Sequence, residues 1–228
     1  MSLINFNSFN ALGNVSLGNQ VFESLNTNGK AQLNGITCEG PLVTSGDTQV
    51  QNSQLKSVRS SGEMDLHHST ADALTVSGRL YASDCPKLGH IQAAGQAKLE
   101  NCPDVQGIVA AGSLSLTKTR VKGDVVYSGQ EAQIEESTIT GKLECSSERV
   151  EIRNSSIEKI VIKPEHNAGF YEFFWFKFLK PTPISEQVVV LIGKNCSVGS
   201  ISFAEGCKGK VILQEGAKVR GEISGACA

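Results

Sequence analysis

The chain repeats itself at short intervals. Seven dipeptides that end in glycine recur along it: Asn28-Gly29, Ser45-Gly46, Ser61-Gly62, Ser77-Gly78, Ala94-Gly95, Ala111-Gly112 and Ser128-Gly129. With Gly13 before them and Ser147 after them, neighbouring members lie 16 to 18 residues apart, so nine consecutive units run from about Gly13 to Ile162. A unit this short cannot bury its own apolar face, and it becomes stable only when it stacks on its neighbours.

Apolar residues occupy fixed places in each unit and form four columns when the units are aligned. The first column holds Val15, Ala31, Met64, Leu80, Ala97, Leu114 and Ala132. The second holds Leu17, Leu33, Val50, Leu66, Ala82, Leu99, Leu116, Ile134 and Ile152. The third holds Phe22, Leu55, Leu88, Val105, Val121, Ile139 and Ile157, and the fourth Leu25, Leu42, Val58, Leu74, Ile91, Ile108, Val125, Leu143 and Ile160. We predict that these columns form the core.

The local pattern is that of β-strands. Apolar residues alternate with polar ones, as in Ala97-Lys98-Leu99, and no sustained stretch has a helical period. Short strands that are joined by Gly, Ser and Asn corners and stacked about 4.8 Å apart form a parallel β-helix. The sequence therefore predicts an all-β solenoid with rungs of about 17 residues. The glycine that opens each unit is expected either to turn a corner at positive φ or to lie where a side chain would collide with the neighbouring rung.

The repeat divides the chain into four segments. Residues 1–12 are predicted to be an N-terminal cap or tail, and residues 13–163 the β-helix of nine rungs. Residues 164–187 interrupt the pattern as an insertion bounded by prolines. Strand character resumes over residues 188–228 at longer spacing, 22 residues from Val189 to Val211 and 21 from Val198 to Val219, which predicts about two more rungs.

The insertion contains the most aromatic stretch of the chain, FYEFFWFKF at residues 170–178. Five of the nine phenylalanines and the only tryptophan lie there. It is too short to cross a bilayer, which takes about 20 apolar residues in a helix. The candidate interface residues are Phe170, Tyr171, Phe173, Phe174, Trp175, Phe176 and Phe178. Three interpretations stay open: packing on the chain's own solenoid, contact with another copy or a partner protein, and shallow contact with a membrane surface.

Composition excludes several classes of function. The formal net charge is -2 and no run of Lys and Arg is present, which argues against nucleic-acid binding. Seven cysteines without CxxC pairs argue against a disulfide framework or a zinc site. Cys85 and Cys102, each followed by proline, are expected one rung apart at a tight corner as small apolar residues, with a disulfide as the alternative. The N-terminus has no signal-peptide features, so we expect a cytoplasmic protein, with membrane association through the insertion as an option.

Candidate catalytic residues are few. His67 and His68 are adjacent, so in a strand they would point to opposite faces. Glu135, Glu136, Asp124 and Glu144 could form an acidic column of the kind that polysaccharide-active enzymes use, but minimal corners supply no loops to wall off a cleft. Phosphate-binding loops, nucleophile elbows and HExxH motifs are absent. We predict no catalytic, cofactor-binding or metal-binding residue, and a protein that is not an enzyme.

Three phrases of the sequence resemble the repeat of the bactofilins, which are bacterial polymer-forming cytoskeletal proteins. They are Val121-Lys-Gly123-Asp124-Val125, Ile139-Thr-Gly141-Lys-Leu143 and the stretch from Val211 to Ile223. The resemblance implies a right-handed β-helix that assembles end to end into filaments without nucleotide. The chain differs from the family in its longer solenoid, its aromatic insertion and the lack of basic residues before Lys30.

These observations favour a structural scaffold that self-associates through its β-helix ends, with itself as the main partner in a homo-oligomer or filament. A second hypothesis is an adhesin-like or carbohydrate-binding solenoid that contacts a ligand along its outer face. A left-handed β-helix of the hexapeptide acyltransferase type is a further alternative, because Leu191 to Gly199 resembles a hexapeptide phrase. It is disfavoured by a repeat that drifts between 16 and 18 residues.

Overall fold

A computed structural model describes residues 4–163, 188–205, 207 and 209–225. Parallel strands in this part of the chain form one sheet, which winds into a β-solenoid of about 11 turns with about 17 residues per turn. The described residues contain no helix. The predicted all-β, parallel β-helical fold is therefore confirmed.

Each turn has a short wall and a long wall. The short wall consists of β2 (Val15–Gly18), β4 (Ala31–Asn34), β6 (Thr48–Gln51), β8 (Met64–His67), β10 (Leu80–Ser83), β12 (Gln96–Glu100), β18 (Val188–Ile192) and β20 (Gly209–Leu213). The long wall consists of β1 (Ile4–Leu12), β3 (Gln20–Asn28), β5 (Thr37–Thr44), β7 (Gln54–Ser60), β9 (Thr70–Val76), β11 (Lys87–Ala93), β14 (Arg120–Val121), β17 (Ser156–Ile162), β19 (Ser197–Phe203), β21 (Lys218–Val219) and β22 (Ile223–Ser224). Three longer strands, β13 (Val105–Thr117), β15 (Val125–Glu135) and β16 (Thr138–Arg153), continue from the long wall into the short wall.

The strand register stacks the four predicted apolar columns. Leu17 pairs with Leu33, which pairs with Val50, and the same column continues turn by turn to Ile152 and Ile192. Inside the solenoid its side chains are at most 1% exposed. The predicted columns are the core, apart from members at the N-terminal end, such as Val15, that are only half-buried.

The corner that connects the long wall to the short wall contains the recurring glycines and explains why they repeat along the sequence. Gly29 and Gly112 adopt positive φ, whereas Gly62 does not. A Cβ placed on Gly62 would lie 2.5 Å from the carbonyl oxygen of Gly46 in the preceding turn, far inside normal contact. Close approach between successive turns is therefore the requirement that most of these glycines share, which is the second of the two predicted reasons.

The opposite corner uses the left-handed backbone conformation, which the sequence analysis did not anticipate. One residue per turn, at the corner that follows the short wall, has positive φ: Asn19, Gly35, Asn52, His68, Asp84, Asn101, Lys118, Glu136, Asn154, Asn195 and Gly216. Asn, Asp and Gly tolerate this conformation best, and their enrichment is the signal that could have revealed the column. The next residue is often a small polar one whose side chain turns inward, as Ser69 does when it donates to the His67 carbonyl at 2.7 Å.

The insertion occupies the place of one glycine corner. The chain leaves the described solenoid after β17 and returns at β18, which pairs directly with β16 through Val150 and Val190. Val190, and not Val189, is the register partner of Val211, so the predicted spacing of 22 residues is wrong by one. At the other end of the chain, β1 pairs residue by residue with β3 and supplies part of a turn ahead of Gly13.

Two buried threonines in the first turns lack hydrogen-bond partners. Thr27 and Thr44 are register partners on the long wall, 0% and 2% exposed, and neither hydroxyl has a partner among the described residues. An unpaired buried hydroxyl costs about 1–3 kcal/mol. We expect Thr27→Val and Thr44→Val each to raise the free energy of unfolding by about 1 kcal/mol, measured by urea denaturation.

A matched control is Thr119→Val. Thr119 is also buried, but its hydroxyl donates to the Thr117 carbonyl at 3.0 Å. This variant is expected to lose about 1 kcal/mol, because the substitution removes a satisfied hydrogen bond. Equal destabilisation by Thr27→Val and Thr119→Val would contradict the assignment of an unpaired hydroxyl to Thr27.

Candidate functional site

The C-terminal end of the solenoid exposes core columns to solvent. The last turn that the structure describes consists of β20, β21 and β22. Leu213 and Ile223 continue the columns of Ile192 and Ile201, which are fully buried, but they are 47% and 39% exposed themselves. Val219, which continues a third column, is half-buried. The end surface is thus an apolar cross-section of the core, which we call the C-terminal end face.

The N-terminal end presents the same columns from the other side. β1 and β2 form the first described turn, and Phe9, Val15 and Leu17 are only half-buried there. Their register partners one turn further in, Leu25, Ala31 and Leu33, are at most 1% exposed. We call this surface the N-terminal end face.

The two end faces match each other in register. Because every strand pairs in parallel with the strand one turn away, each column can be followed from one end of the solenoid to the other. Three columns have described side chains at both ends: Val15 with Val211, Leu17 with Leu213, and Phe9 with Ile223. A second copy whose β1 stacks on β22 of the first would therefore continue the column of Phe9 and Ile223 at the ordinary strand spacing. Because the described chain begins and ends on the long wall, the short wall has one layer fewer, and Val15 and Leu17 would face Val211 and Leu213 across about two strand spacings.

Strand edges accompany the exposed columns. β20 pairs with β18 on one side, and no described strand pairs with its other edge. At the N-terminal end, and among the described strands, β2 pairs only with β4 and β1 only with β3. Unpaired N–H and C=O groups along a strand edge are a template for another strand. Both end faces hence combine apolar side chains with open backbone hydrogen-bonding groups.

The predicted interface residues in FYEFFWFKF lie outside the described residues. The structure places the point at which this insertion leaves the solenoid, between Lys163 and Val188 at a corner near the C-terminal end. The interface prediction for residues 170–178 itself stays a prediction. The sequence did predict association through the ends of the solenoid, but it did not identify Leu213, Val219 or Ile223 as exposed. Each of them is the last member of its apolar column, and this position in the repeat is the signal that could have identified them.

The four acidic residues considered for catalysis do not form one cluster, although two of them share a lysine. Glu135 lies at the end of the short-wall portion of β15, and Glu136 lies at the left-handed corner. Asp124 and Glu144 lie along the long wall, where both pair with Lys142. His68 occupies the left-handed corner instead of a strand, which corrects the expectation that it and His67 point to opposite faces of one strand. The described residues contain no group of three or more metal-ligating side chains.

The described cysteines are buried and free. Cys85 and Cys102 lie one turn apart at the predicted corner, since Ser83 and Glu100 just before them are register partners. The neighbouring Cys102 thiol, together with burial, raises the pKa of Cys85. Burial also raises the pKa of Cys145. Neutral buried thiols are poor nucleophiles, so these side chains are best understood as packing residues.

One cluster of charged side chains on the long wall makes the stability of the fold depend on pH. The carboxylate of Glu144 lies 3.1 Å from Nζ of Lys142 and also pairs with Lys163. Partial burial opposes ionisation, but the two ammonium groups outweigh it and hold the pKa of Glu144 below its ordinary value. A depressed folded-state pKa means that the carboxylate stabilises the fold above its unfolded pKa of about 4.3 and loses this effect as pH falls through the lower folded pKa.

We therefore expect Glu144→Gln to be less stable than the native protein at pH 7, by up to about 1 kcal/mol, because the cluster is partly solvated. The difference should shrink towards zero as pH falls below about 4. Urea denaturation of both proteins across this pH range measures it. A difference that stayed constant with pH would show that the side chain acts by packing and not by charge.

Across the described residues no helix has the length and apolar character needed to span a bilayer. No family model, no curated protein and no solved structure matches the chain. Inference about function therefore rests on the geometry of the solenoid.

Proposed function

We propose that this chain is a non-enzymatic structural protein whose copies assemble head to tail, the C-terminal end face of one copy stacking on the N-terminal end face of the next. The observation that carries the proposal is the continuity of the apolar columns. The same three columns end half-exposed on both faces, at Val15, Leu17 and Phe9 and at Val211, Leu213 and Ile223.

The energetics of stacking follow from the structure of a single turn. Within the solenoid, each turn gains parallel hydrogen bonds and buries apolar side chains against the next. A junction between copies would add the same two contributions on the long wall: backbone hydrogen bonds between β22 and β1, and burial of large apolar side chains such as Ile223 and Phe9 at up to about 1.5–3 kcal/mol each. Head-to-tail stacking keeps the strands parallel and the columns in register, whereas a head-to-head contact would reverse the strand direction.

The resemblance to bactofilins noted in the sequence agrees with this proposal, since that family forms filaments from short-rung β-helices. Two predictions accompany it: a cytoplasmic location, and lateral contacts with a partner protein or a membrane surface through residues 170–178. Both concern properties that the end faces do not determine.

Site-directed cross-linking tests the polarity of the assembly. Asn10 and Ser224 belong to one outward-facing column of the long wall, so stacked copies would bring position 224 of one beside position 10 of the next, about 4.8 Å apart. This separation suits a disulfide. The double variant Asn10→Cys with Ser224→Cys is expected to form a ladder of covalent oligomers on oxidation, seen on non-reducing gels, with filaments in electron micrographs.

Each single variant is the control, because head-to-tail contact never brings two copies of the same position together. Covalent dimers of Ser224→Cys alone would indicate a head-to-head contact and contradict the proposed polarity. A native protein that sediments strictly as a monomer at high concentration would contradict self-assembly altogether.

A further inference from the structure

A shallow pocket opens on the outer side of the short wall, in the middle of the solenoid and away from both end faces. It spans the consecutive strands β8, β10 and β12 and has a volume of about 330 Å³. Its lining residues are Asp65, Arg79, Leu80, Tyr81, Gln96 and Lys98. This volume is at the lower end of the range found for small-molecule sites.

Tyr81 forms the aromatic wall of the pocket. It points outward, since its neighbours Leu80 and Ala82 are fully buried in the core. Of the other aromatic rings whose burial the structure describes, Phe22, Tyr127 and Phe203 are buried, and Phe9 is half-buried at the N-terminal end. Among these rings, Tyr81 is the one that lies half-buried on the outer surface between the two ends.

Neighbouring side chains hold the Tyr81 ring in one orientation. Its hydroxyl donates to Oε2 of Glu100 at 3.2 Å, and the ring of His67 packs edge-on with centroids 5.5 Å apart. His67 is itself fixed by a 2.6 Å contact between Nδ1 and the Ser83 hydroxyl. Nζ of Lys98 lies over the ring, 5.1 Å from its centroid, and this half-exposed side chain must swing aside when a ligand stacks on that face. A ring positioned in this way loses little conformational freedom when a ligand stacks on it.

The charges around the pocket leave a small negative excess. Arg79 pairs with Glu63, and Lys98 lies 3.7 Å from Glu100, so both cations of the lining already have carboxylate partners. Asp65 adds a third carboxylate to these two cations. An anionic ligand would gain no net attraction here. The pocket instead offers many donors and acceptors of both kinds beside one apolar ring face.

This combination matches the chemistry of a sugar ring. A hexopyranose has C–H groups on one face, which stack on the electron-rich face of an aromatic ring, and hydroxyl groups on its edge that both donate and accept hydrogen bonds. We propose that the Tyr81 pocket binds a neutral hexopyranose unit of a glycan. The Tyr81 ring provides the stacking surface, while Asp65, Gln96 and Arg79 bond the hydroxyls.

The short wall also provides room for neighbouring units of such a glycan. Towards the N-terminal end the two preceding strands in the wall, β4 and β6, present exposed amide side chains at Gln32, Asn34, Gln49 and Gln51. Amides donate and accept hydrogen bonds without charge, as hydroxyl recognition requires. An extended chain could thus lie along the solenoid axis. This inference is independent of self-assembly, since no residue of the pocket belongs to an end face.

Ligand-detected NMR and calorimetry on the full chain test the proposal. The probes are hexasaccharides of β-1,4-linked glucose, mannose and N-acetylglucosamine, with an oligogalacturonate of equal length as the charged comparator. At least one neutral hexasaccharide is expected to bind, and more tightly than the oligogalacturonate. Tyr81→Leu is expected to weaken this binding at least tenfold, and Gln96→Ala to weaken it to a smaller extent.

Gln133→Leu is the matched control, because Gln133 lies three turns away in the same outward-facing column as Tyr81. It should leave binding unchanged, and the urea denaturation midpoint of each variant confirms that it is folded. The proposal is overturned if none of the neutral hexasaccharides binds, if the oligogalacturonate binds at least as tightly, or if Tyr81→Leu and Gln133→Leu behave alike.

Discussion

The double variant Leu213→Lys with Ile223→Lys is expected to remain folded and to lose self-association. In the proposed assembly Ile223 packs on Phe9 of the next copy and Leu213 faces Leu17 at the same junction; in the single chain they are 39% and 47% exposed. Burial of the surface that is still exposed on the two side chains contributes about 1–3 kcal/mol, and a lysine in either place would also bring an unpaired charge into the junction. The association constant should fall at least a hundredfold, measured by sedimentation velocity over a range of concentrations.

The chain contains a close control for this experiment. Val43 and Val109 are 39% and 36% exposed, point outward from the long wall and belong to neither end face; Val43 lies two turns in from β1. Val43→Lys with Val109→Lys adds the same two charges and removes a similar amount of exposed apolar surface. This control should assemble like the native protein. If both double variants lose assembly, net charge and not the end face controls association; if neither does, the end faces are not the contact.

Gly62→Val is expected to cause the largest loss of stability from a single substitution, about 3 kcal/mol or more. The added Cβ would lie 2.5 Å from the carbonyl oxygen and 2.8 Å from the carbonyl carbon of Gly46. Backbone atoms cannot rotate out of the way, so the two turns must separate locally and lose hydrogen bonds on both sides. The expected result is a lower denaturation midpoint, together with loss of the single cooperative transition that stacked turns share.

Ser61→Val is the matched control, because it introduces the same side chain one position earlier. Ser61 is exposed at the same corner, so a valine there meets no backbone from the neighbouring turn. Its effect should be within about 0.5 kcal/mol, which is usual for surface substitutions. A Gly62→Val variant as stable as Ser61→Val would show that the turns can separate at this corner without cost, contrary to the geometry.

Most of the fold could be read from the sequence because the repeat is dictated by local geometry. A column such as Leu66, Ala82 and Leu99 must recur once per turn for every turn to bury a side chain at the same place. Glycines recur for a similar reason at the corner where successive turns approach most closely. These requirements act on each unit separately, so the sequence shows them without knowledge of the rest of the chain.

The left-handed corner was missed for an identifiable reason. Asn52, Lys118 and Glu136 share a backbone conformation but little side-chain chemistry. Stacked neighbours can impose positive φ on Lys or Glu at a modest energetic cost, which propensity does not reveal. The candidate sites were harder still, because Tyr81 and Glu100 are 19 residues apart in sequence and meet only when β10 and β12 stack.

The sequence by itself determined the period of the solenoid, its four core columns and the corner at which glycine is required, since each depends on contacts that every turn repeats. Only the tertiary structure decided which members of a column are buried and which remain exposed. Leu99 and Leu213 belong to the same column and have the same side chain, yet one is fully buried and the other 47% exposed. The difference is the presence of a turn on both sides of Leu99, and among the described residues Leu213 has a turn on one side only.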